Sequence, residues 1–580
     1  MTKSNQPHTQ QTIFDADRPV SRDSGPVTCL GMTFPNDEER RKHFLGILRE
    51  KLKDPEFRKI EGFPIGSDED ILALSDPPYY TACPNPFIAD FIKHYGKPYA
   101  PSKPYSREPF AADVSEGKND PIYNAHSYHT KVPHKAIMRY ILHYTEPGDV
   151  VFDGFCGTGM TAVAAQMCGD RTVVESLGYQ VDRDGTISQQ ETDESGKAVW
   201  RPFSKIGARR VVLNDLSPVA TFIAYNYTTP VDVREFEREA KRILKEVEAE
   251  CGWMYETLHT DGKTKGKINY TVWSDVFLCP ECTHEVIFSE AAVNKEAGSV
   301  RDEFPCPHCG AMLNKRRMER AWVSKYDGAI TQTIRQAKQV PVLINYSVGG
   351  KRAEKTLDKA DLALIAKVDN SDIPYWFPTD RMMEGGETRR NDPIGITHVH
   401  HFYTKRSLWV LGALYDKAFK SRHKLSVFFV QYAALGFSKL SRYVPTHFSQ
   451  VNQYLSGTLY IGSQQVEVSP DYILTGKLQR LVKHEAPRFG KIKVASIGCC
   501  DSSVFPIPGE SFDYIFIDPP FGANLNYSEL NILWEQWLKV WTNNKPEAIE
   551  NSVQKKGLNE YRHLMTACFR EAYRVLKPGR

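Results

Sequence analysis

GDVVFDGFCGTGMTAVAAQMC, residues 148–168, is the stretch on which the fold turns. A Pro147-Gly148 turn opens it, an apolar run leads to Asp153, and Thr161–Cys168 has the composition of a helix. A buried strand passing through glycines into a helix is the βα unit of an open parallel sheet. Glycines at 154, 157 and 159 let the backbone bend sharply and come close to a ligand, and the helix N-terminus behind them offers free N–H donors. Alone, such a turn is a weak signal: many nucleotide folds have one, and a tight turn with no ligand reads the same way.

Working outward, the same alternation recurs. ARRVVLND (208–215) is a second strand running into a helix, and a polar excursion between them (about 170–207) contains a hairpin signal at VDRDGTIS. The alternation stops near 230 and resumes with KIKVASIGCCD (491–501), FDYIFIDPP (512–520), the helical SELNILWEQWLKVW (528–541) and a helix ending in YRVLKPGR. The pattern predicts one discontinuous α/β domain with a large insertion. It divides into an N-terminal arm and irregular extension (1–120, with a helix at 37–55), a first core segment (121–228), a helix plus a cysteine-rich insert (229–330), a second insertion (331–480), and a second core segment (481–580).

Composition sets bounds rather than choices. With 41% hydrophobic and 25% charged residues, the chain has the balance of an ordinary globular protein. Its net charge of +3 neither suggests nor excludes nucleic acid. No apolar run is long enough to span a bilayer, and the polar N-terminus carries no secretory h-region, so a cytoplasmic protein without membrane contact is expected. Most of the twelve cysteines read as buried thiols rather than a disulfide framework.

Two motifs carry chemistry. Asn214-Asp215 closes the second strand, where an acid can accept hydrogen bonds from both ribose hydroxyls, although an Asp there also serves as a helix cap. With the turn at 153–159, it marks an adenosine-containing cofactor. Asp518-Pro519-Pro520-Phe521 follows the apolar run Tyr514–Ile517, at the strand end where open α/β sheets bind ligands. An exocyclic base amine is a poor nucleophile because its lone pair is delocalised into the ring. A carboxylate and a backbone carbonyl accepting its two N–H bonds favour the tetrahedral nitrogen that attacks a methyl sulfonium. Two prolines stiffen that carbonyl, and an aromatic ring can stack on a base taken out of the duplex.

Together these residues resemble motifs I and IV of DNA amino-methyltransferases. His129-Thr130-Lys131-Val132-Pro133 resembles their motif X. More narrowly, the chain is similar to bacterial adenine-specific DNA methylases that carry a zinc ribbon, over about 120–330 and 370–580. The resemblance implies a Rossmann-like S-adenosylmethionine-dependent methyltransferase sheet. It implies cofactor contacts from Thr130, Asp153, Phe155, Gly157, Gly159, Asp215 and Asp501, and catalysis by Asp518, Pro519, Pro520 and Phe521. The reaction would be methyl transfer to adenine N6 in double-stranded DNA, in restriction-modification or phage defence. N4-cytosine methylation is the alternative within the mechanism, and a catalytically deficient DNA-binding subunit of a defence complex is the alternative outside it.

Cys279-Pro280-Glu281-Cys282 and Cys306-Pro307-His308-Cys309 are two CxxC knuckles 23 residues apart, the spacing of a closed, structural four-thiolate Zn²⁺ site. Residues 375–410 interleave aromatics with Arg381, Arg389, Arg390, Lys405 and Arg406, and Lys439, Arg442 and Tyr443 follow. That composition suits DNA contact and suits a solvated basic face equally. His398, His400 and His401 read as ordinary strand and loop histidines.

Two features complicate this reading. Asp76-Pro77-Pro78-Tyr79-Tyr80 is a second copy of the catalytic motif, behind a short strand at Ile71–Ser75; Asp518 is preferred, and 76–80 would then line the substrate cleft. At the other end, YRVLKPGR is the lead-in to a fifth strand. The resemblance therefore implies missing C-terminal strands, with either a fragment or a second polypeptide completing the sheet.

Overall fold

The computed structural model describes residues 25–99, 101–102, 105–294, 296–446, 451–452, 454–490 and 493–580. The expected N-terminal arm lies, up to residue 24, outside them. The extension after it is helical in places up to Tyr95, and among the described residues from 96 to 120 it has no helix or strand, as expected. Helix α1 (Asp37–Leu52) starts at Asn36, whose side chain accepts from Glu39 N, with three acids in its first turn. Its apolar face (Phe44, Leu48, Leu52) is buried in the main core. Ile71–Leu74 belongs to helix α2 (Asp68–Leu74), not to a strand. A four-residue apolar run is ambiguous in period, and the Ser67 cap and the acids at 68–70 decide it for helix.

Helix α3 (His134–Tyr144) leads into strand β1 (Val150–Asp153), in which every residue is buried, and the turn then gives helix α4 (Met160–Met167). A three-stranded antiparallel ribbon (residues 180–205) occupies the polar excursion. Strand β2 (Arg210–Asp215) and helix α5 (Pro218–Thr228) follow, the helix buried along its whole length.

The insertion begins with the 14-residue strand β3 (Lys265–Leu278). A hairpin of β4 (Trp322–Asp327) and β5 (Gln332–Ala337) comes next, then β6 (Gln339–Val348). Helices α6 (Lys405–Phe419) and α7 (Lys424–Gly436) and strand β7 (Gln464–Val468) complete it. β3 pairs antiparallel with both β6 and β7, so one sheet runs across the boundary expected at 330/331. The insertion is not a peripheral module either. α7 (KLSVFFVQYAALG) is apolar on all sides, and a helix of that kind must be enclosed. It packs on α5 and on helix α8 (Tyr527–Leu538). The cysteine-rich insert has a small core of its own around Phe277, Phe288, Phe304 and Leu313.

The second core segment supplies β8 (Ala495–Cys499), β9 (Tyr514–Ile515) and the last helix, α9 (Leu558–Val575). The parallel sheet has the order β8-β2-β1-β9, with Val151 opposite both Val211 and Tyr514. Both edges are covered. Beside β8, Ile497 N donates to Tyr79 O, Thr81 N to Ile497 O and Cys499 N to Cys83 O. Beside β9, Leu576 bridges Phe512 in parallel. Residues 79–83 therefore close the far edge of the sheet from β9, and the expectation that 76–80 lines the substrate cleft is corrected. No helix among the described residues is long and apolar enough to cross a membrane.

Candidate active site

The carboxyl ends of β1, β2, β8 and β9 open onto one cleft of about 1000 Å³, counting the solvent at its open mouth. Asp153, Phe155, Gly157, Asp215, Asp501, Asp518, Pro520 and Thr130 all line it. These come from five separate segments, and each reaches the cleft because a parallel sheet gathers the ends of its strands on one side.

At the first turn, Asp153 accepts from Phe155 N (3.0 Å) and Thr161 Oγ1 (2.5 Å), which fastens the loop to the first turn of α4. Burial pushes its carboxyl up to about 7. Asp215 accepts from Gly157 N (2.8 Å) and Ser217 N (2.9 Å), joining the two βα turns, and burial pushes it to about 6. Asp501 follows β8 and is also raised by burial.

Gly159 is placed differently from the expectation. It does not line the cleft; its φ is +77°, and a Cβ there would stand 2.5 Å from Ala224 Cβ on α5. It permits α4 to pack on α5. Gly159→Ala is expected to cost roughly 2–4 kcal/mol, as a left-handed β-carbon and an overpacked helix contact combine, read as a lower denaturant midpoint.

Asp518 is exposed at the mouth of the cleft, and no hydrogen bond or ion pair among the described residues reaches its carboxylate; burial alone raises it. The loop behind it is tied down: Tyr561 Oη donates to Pro520 O (2.9 Å), and Glu550 N to Gly522 O (3.0 Å). Phe521 is 85% exposed, an aromatic ring with nothing packed on it. Pro519 lies between these residues and does not itself line the cleft.

Asp76 has the opposite setting. It is buried, with Arg40 Nη2 at 2.8 Å, Tyr225 Oη at 2.9 Å, and Arg41 and Lys493 at 3.7 and 3.8 Å. Burial would raise its carboxyl, but Arg40, Lys493 and Arg41 hold it well below the ordinary range. This carboxylate is spent on buried partners and does not line the cleft.

Sequence reasoning overlooked one face of α8. Asn531 Nδ2 donates to Ser217 Oγ (3.0 Å) and Tyr128 Oη (3.1 Å), its Oδ1 meets His129 Nε2 (3.0 Å), and Ser217 Oγ donates to Glu535 (2.6 Å). Tyr527 Oη pairs with Thr130 Oγ1 (2.9 Å). The helix after the Asp518 loop thus grips both the turn after Asp215 and the 128–130 segment. The signal was present: Ser528, Asn531 and Glu535 are polar residues at helical spacing, three and four apart, on a helix whose other residues are mostly apolar.

The aromatic-basic stretch is largely consumed internally. Arg406 is buried against Glu467 (2.5 Å), Arg381 pairs with Asp392, Arg389 with Glu384 and Arg390 with Glu387. Among the cysteines, Cys279 Sγ lies 3.8 Å from Cys309 Sγ, and Cys282 Sγ lies 3.8 Å from Cys306 Sγ. All four sulfurs lie within 4.8 Å of one another.

Residues 71–184 match the family model described as DNA methylase. The match covers 114 of the 580 residues. The matched span holds both Asp76 and the glycine-rich turn and stops well short of Asp518. No curated protein and no solved structure matches the chain.

Proposed function

We propose that this protein transfers a methyl group from S-adenosylmethionine to the exocyclic amine of a base in double-stranded DNA, at adenine N6, with Asp518 as the residue that orients the amine. The observation that carries this is the unpartnered Asp518 carboxylate at the end of β9, opening onto the same cleft as the glycine-rich turn and Asp215. The charge of the cleft suits the cofactor: Asp153, Asp215, Asp501, Asp518 and Glu547 line it against Lys131 alone. A cationic ligand is drawn into such a field. When bound, S-adenosylmethionine supplies an electrophilic methyl group on its sulfonium. Asp215 and Asp501 would hold its hydroxyl and amine groups, with Phe155, Gly157 and Thr130 around them. The Asp518 carboxylate and the Pro519 carbonyl would accept the two N–H bonds of the amine, and Phe521 would stack on the base. Asp rather than Ser before the proline pair favours adenine N6 over cytosine N4.

The four cysteines fit a zinc ion. A tetrahedron with Zn–S bonds of about 2.3 Å has sulfur–sulfur edges of about 3.8 Å, the separation seen in both measured pairs. The ion would be structural, holding the insert whose small core surrounds the knuckles.

The test is transfer of labelled methyl to unmethylated DNA followed by nucleoside analysis. Label in N6-methyladenine supports the reading, label in N4-methylcytosine replaces the target, and binding of DNA with no transfer by a chain that also fails to bind the cofactor overturns it.

Cofactor affinity should also depend on pH, with a sign set by the raised acids. Asp215 is protonated below about 6 in the free protein, and Asp153 below about 7. An ionised carboxylate is the better acceptor for ribose hydroxyls, and a cationic ligand favours ionisation, so affinity rises with pH across this window and levels off above it. Calorimetry at the acid end of the window should show proton release on binding, and a flat profile would remove Asp215 from the ribose site.

A further inference from the structure

A second cluster lies outside the cleft and outside the cysteine knuckles. Asp327 ends strand β4, and His400 and His401 sit in a short 3₁₀ turn, Val399–Phe402, before α6. His400 Nε2 is 2.8 Å and His401 Nε2 2.9 Å from the same oxygen, Asp327 Oδ2. The other oxygen, Oδ1, accepts from Ala329 N (3.0 Å), which fixes the carboxylate in place. The two rings are 7% and 4% exposed. His398 flanks them, its ring centroid 5.0 Å from that of His401.

We propose that Asp327, His400 and His401 bind a divalent first-row transition ion of the Zn²⁺ class, which fastens the β4–β5 hairpin to the body of the protein. Two imidazoles from adjacent residues, both aimed by Nε2 at one carboxylate oxygen, form the N₂O donor set that such ions take, with water completing the coordination. A tetrahedral ion with ligands about 2.1 Å away sets its donor atoms about 3.4 Å apart, so the nitrogen–oxygen separations of 2.8 and 2.9 Å here open by about half an ångström to admit it. Thr397 backs His401: its Oγ1, 3.4 Å from Nδ1, accepts a hydrogen bond from Nδ1–H once Nε2 is a ligand, while its N–H, at 3.2 Å, donates to Nδ1 in the metal-free tautomer.

The hairpin needs a fastening. Its strands expose five of the six residues of 322–327 and three of the six of 332–337, so it has little core of its own. A two-stranded ribbon is marginal in water by itself. It also carries Trp322, Val323 and Tyr326 exposed, with Arg335 over the Trp322 ring at 4.5 Å. A surface of that kind is useful only if it is held in one place.

The experiment is elemental analysis of the full-length chain after equilibration with Zn²⁺ and gel filtration, beside Asp327→Asn and His400→Ala. Asn keeps an acceptor for the imidazole N–H groups and loses the charge a metal requires, so it separates a hydrogen-bonded clamp from a metal site. The expected result is one metal equivalent more in the wild type than in either variant, whatever the four cysteines hold, with chelation making the hairpin newly cleavable by protease. Equal metal content in wild type and Asp327→Asn, both folded by circular dichroism, overturns the proposal. Should both variants misfold, wild-type Zn²⁺ absorption spectroscopy decides: nitrogen and oxygen scatterers beside sulfur sustain the site, and sulfur alone removes it.

Discussion

Asp518→Ala should lower methyl transfer about 10²–10³-fold while weakening cofactor binding only a few-fold, through the lost cleft charge, and leaving the unfolding midpoint where it was. The magnitude follows from what the carboxylate would do. It touches the reacting amine alone, so its removal acts on the transition state and appears chiefly in kcat. Structural cost is small because the side chain makes no hydrogen bond or ion pair among the described residues and is exposed at the cleft mouth. Asp518→Asn should retain more activity than Asp518→Ala, since an amide oxygen still accepts one N–H. Equal rates for wild type and Asp518→Ala would remove Asp518 from catalysis.

This separation of rate from stability depends on how the loop is held. Tyr561 and the Glu550 backbone grip Pro520 and Gly522, not Asp518 itself. The loop backbone therefore keeps its place when the carboxylate is cut away. The α8 contacts to Ser217 and Thr130 hold the opposite wall of the cleft in the same way. A free reactive group on an over-determined backbone is the arrangement that lets one substitution report on chemistry.

How much of this was legible beforehand depends on what each residue faces. Val150–Asp153 and Ala495–Cys499 are buried on both faces, so neither shows the polar–apolar alternation of a half-exposed strand. The turn at 153–159 was legible because glycine there answers a local backbone need. Ile71–Leu74 was misread because four apolar residues carry no period, and the capping residues that settle the matter precede them. The separation into inserts failed for a long-range reason. Nothing near β3 announces that its partners β6 and β7 lie about 70 and 200 residues further on. Arg406 looked like a surface cation because its partner, Glu467, is distant in sequence and adjacent in space. Charge patterning detects only neighbours along the chain.

The duplicated Asp-Pro-Pro motif shows that limit most sharply, because the two copies differ only in surroundings. Asp76→Ala is expected to destabilise the protein by about 3–5 kcal/mol, the cost of leaving buried partners of a charge uncompensated. Arg40 is 1% exposed, and Asp76 accepts its Nη2 at 2.8 Å. Removing the carboxylate strands the Tyr225 hydroxyl and leaves Asp37 as the one remaining carboxylate beside Arg40 and Lys493, with Arg41 close to both cations. Because the folded carboxyl is depressed below its unfolded value, its contribution is present above about pH 4 and is lost only as pH falls through the folded value. A neutral-pH denaturant midpoint therefore reports the whole effect. Asp76→Asn, which keeps an acceptor for Arg40, should lose less. The folded fraction of either variant should retain the cofactor affinity and per-molecule rate of the wild type, since residues 79–83 cover β8 on the edge opposite β9. A stable Asp76→Ala protein that binds cofactor and transfers nothing would reverse the assignment and make the N-terminal copy the catalytic one.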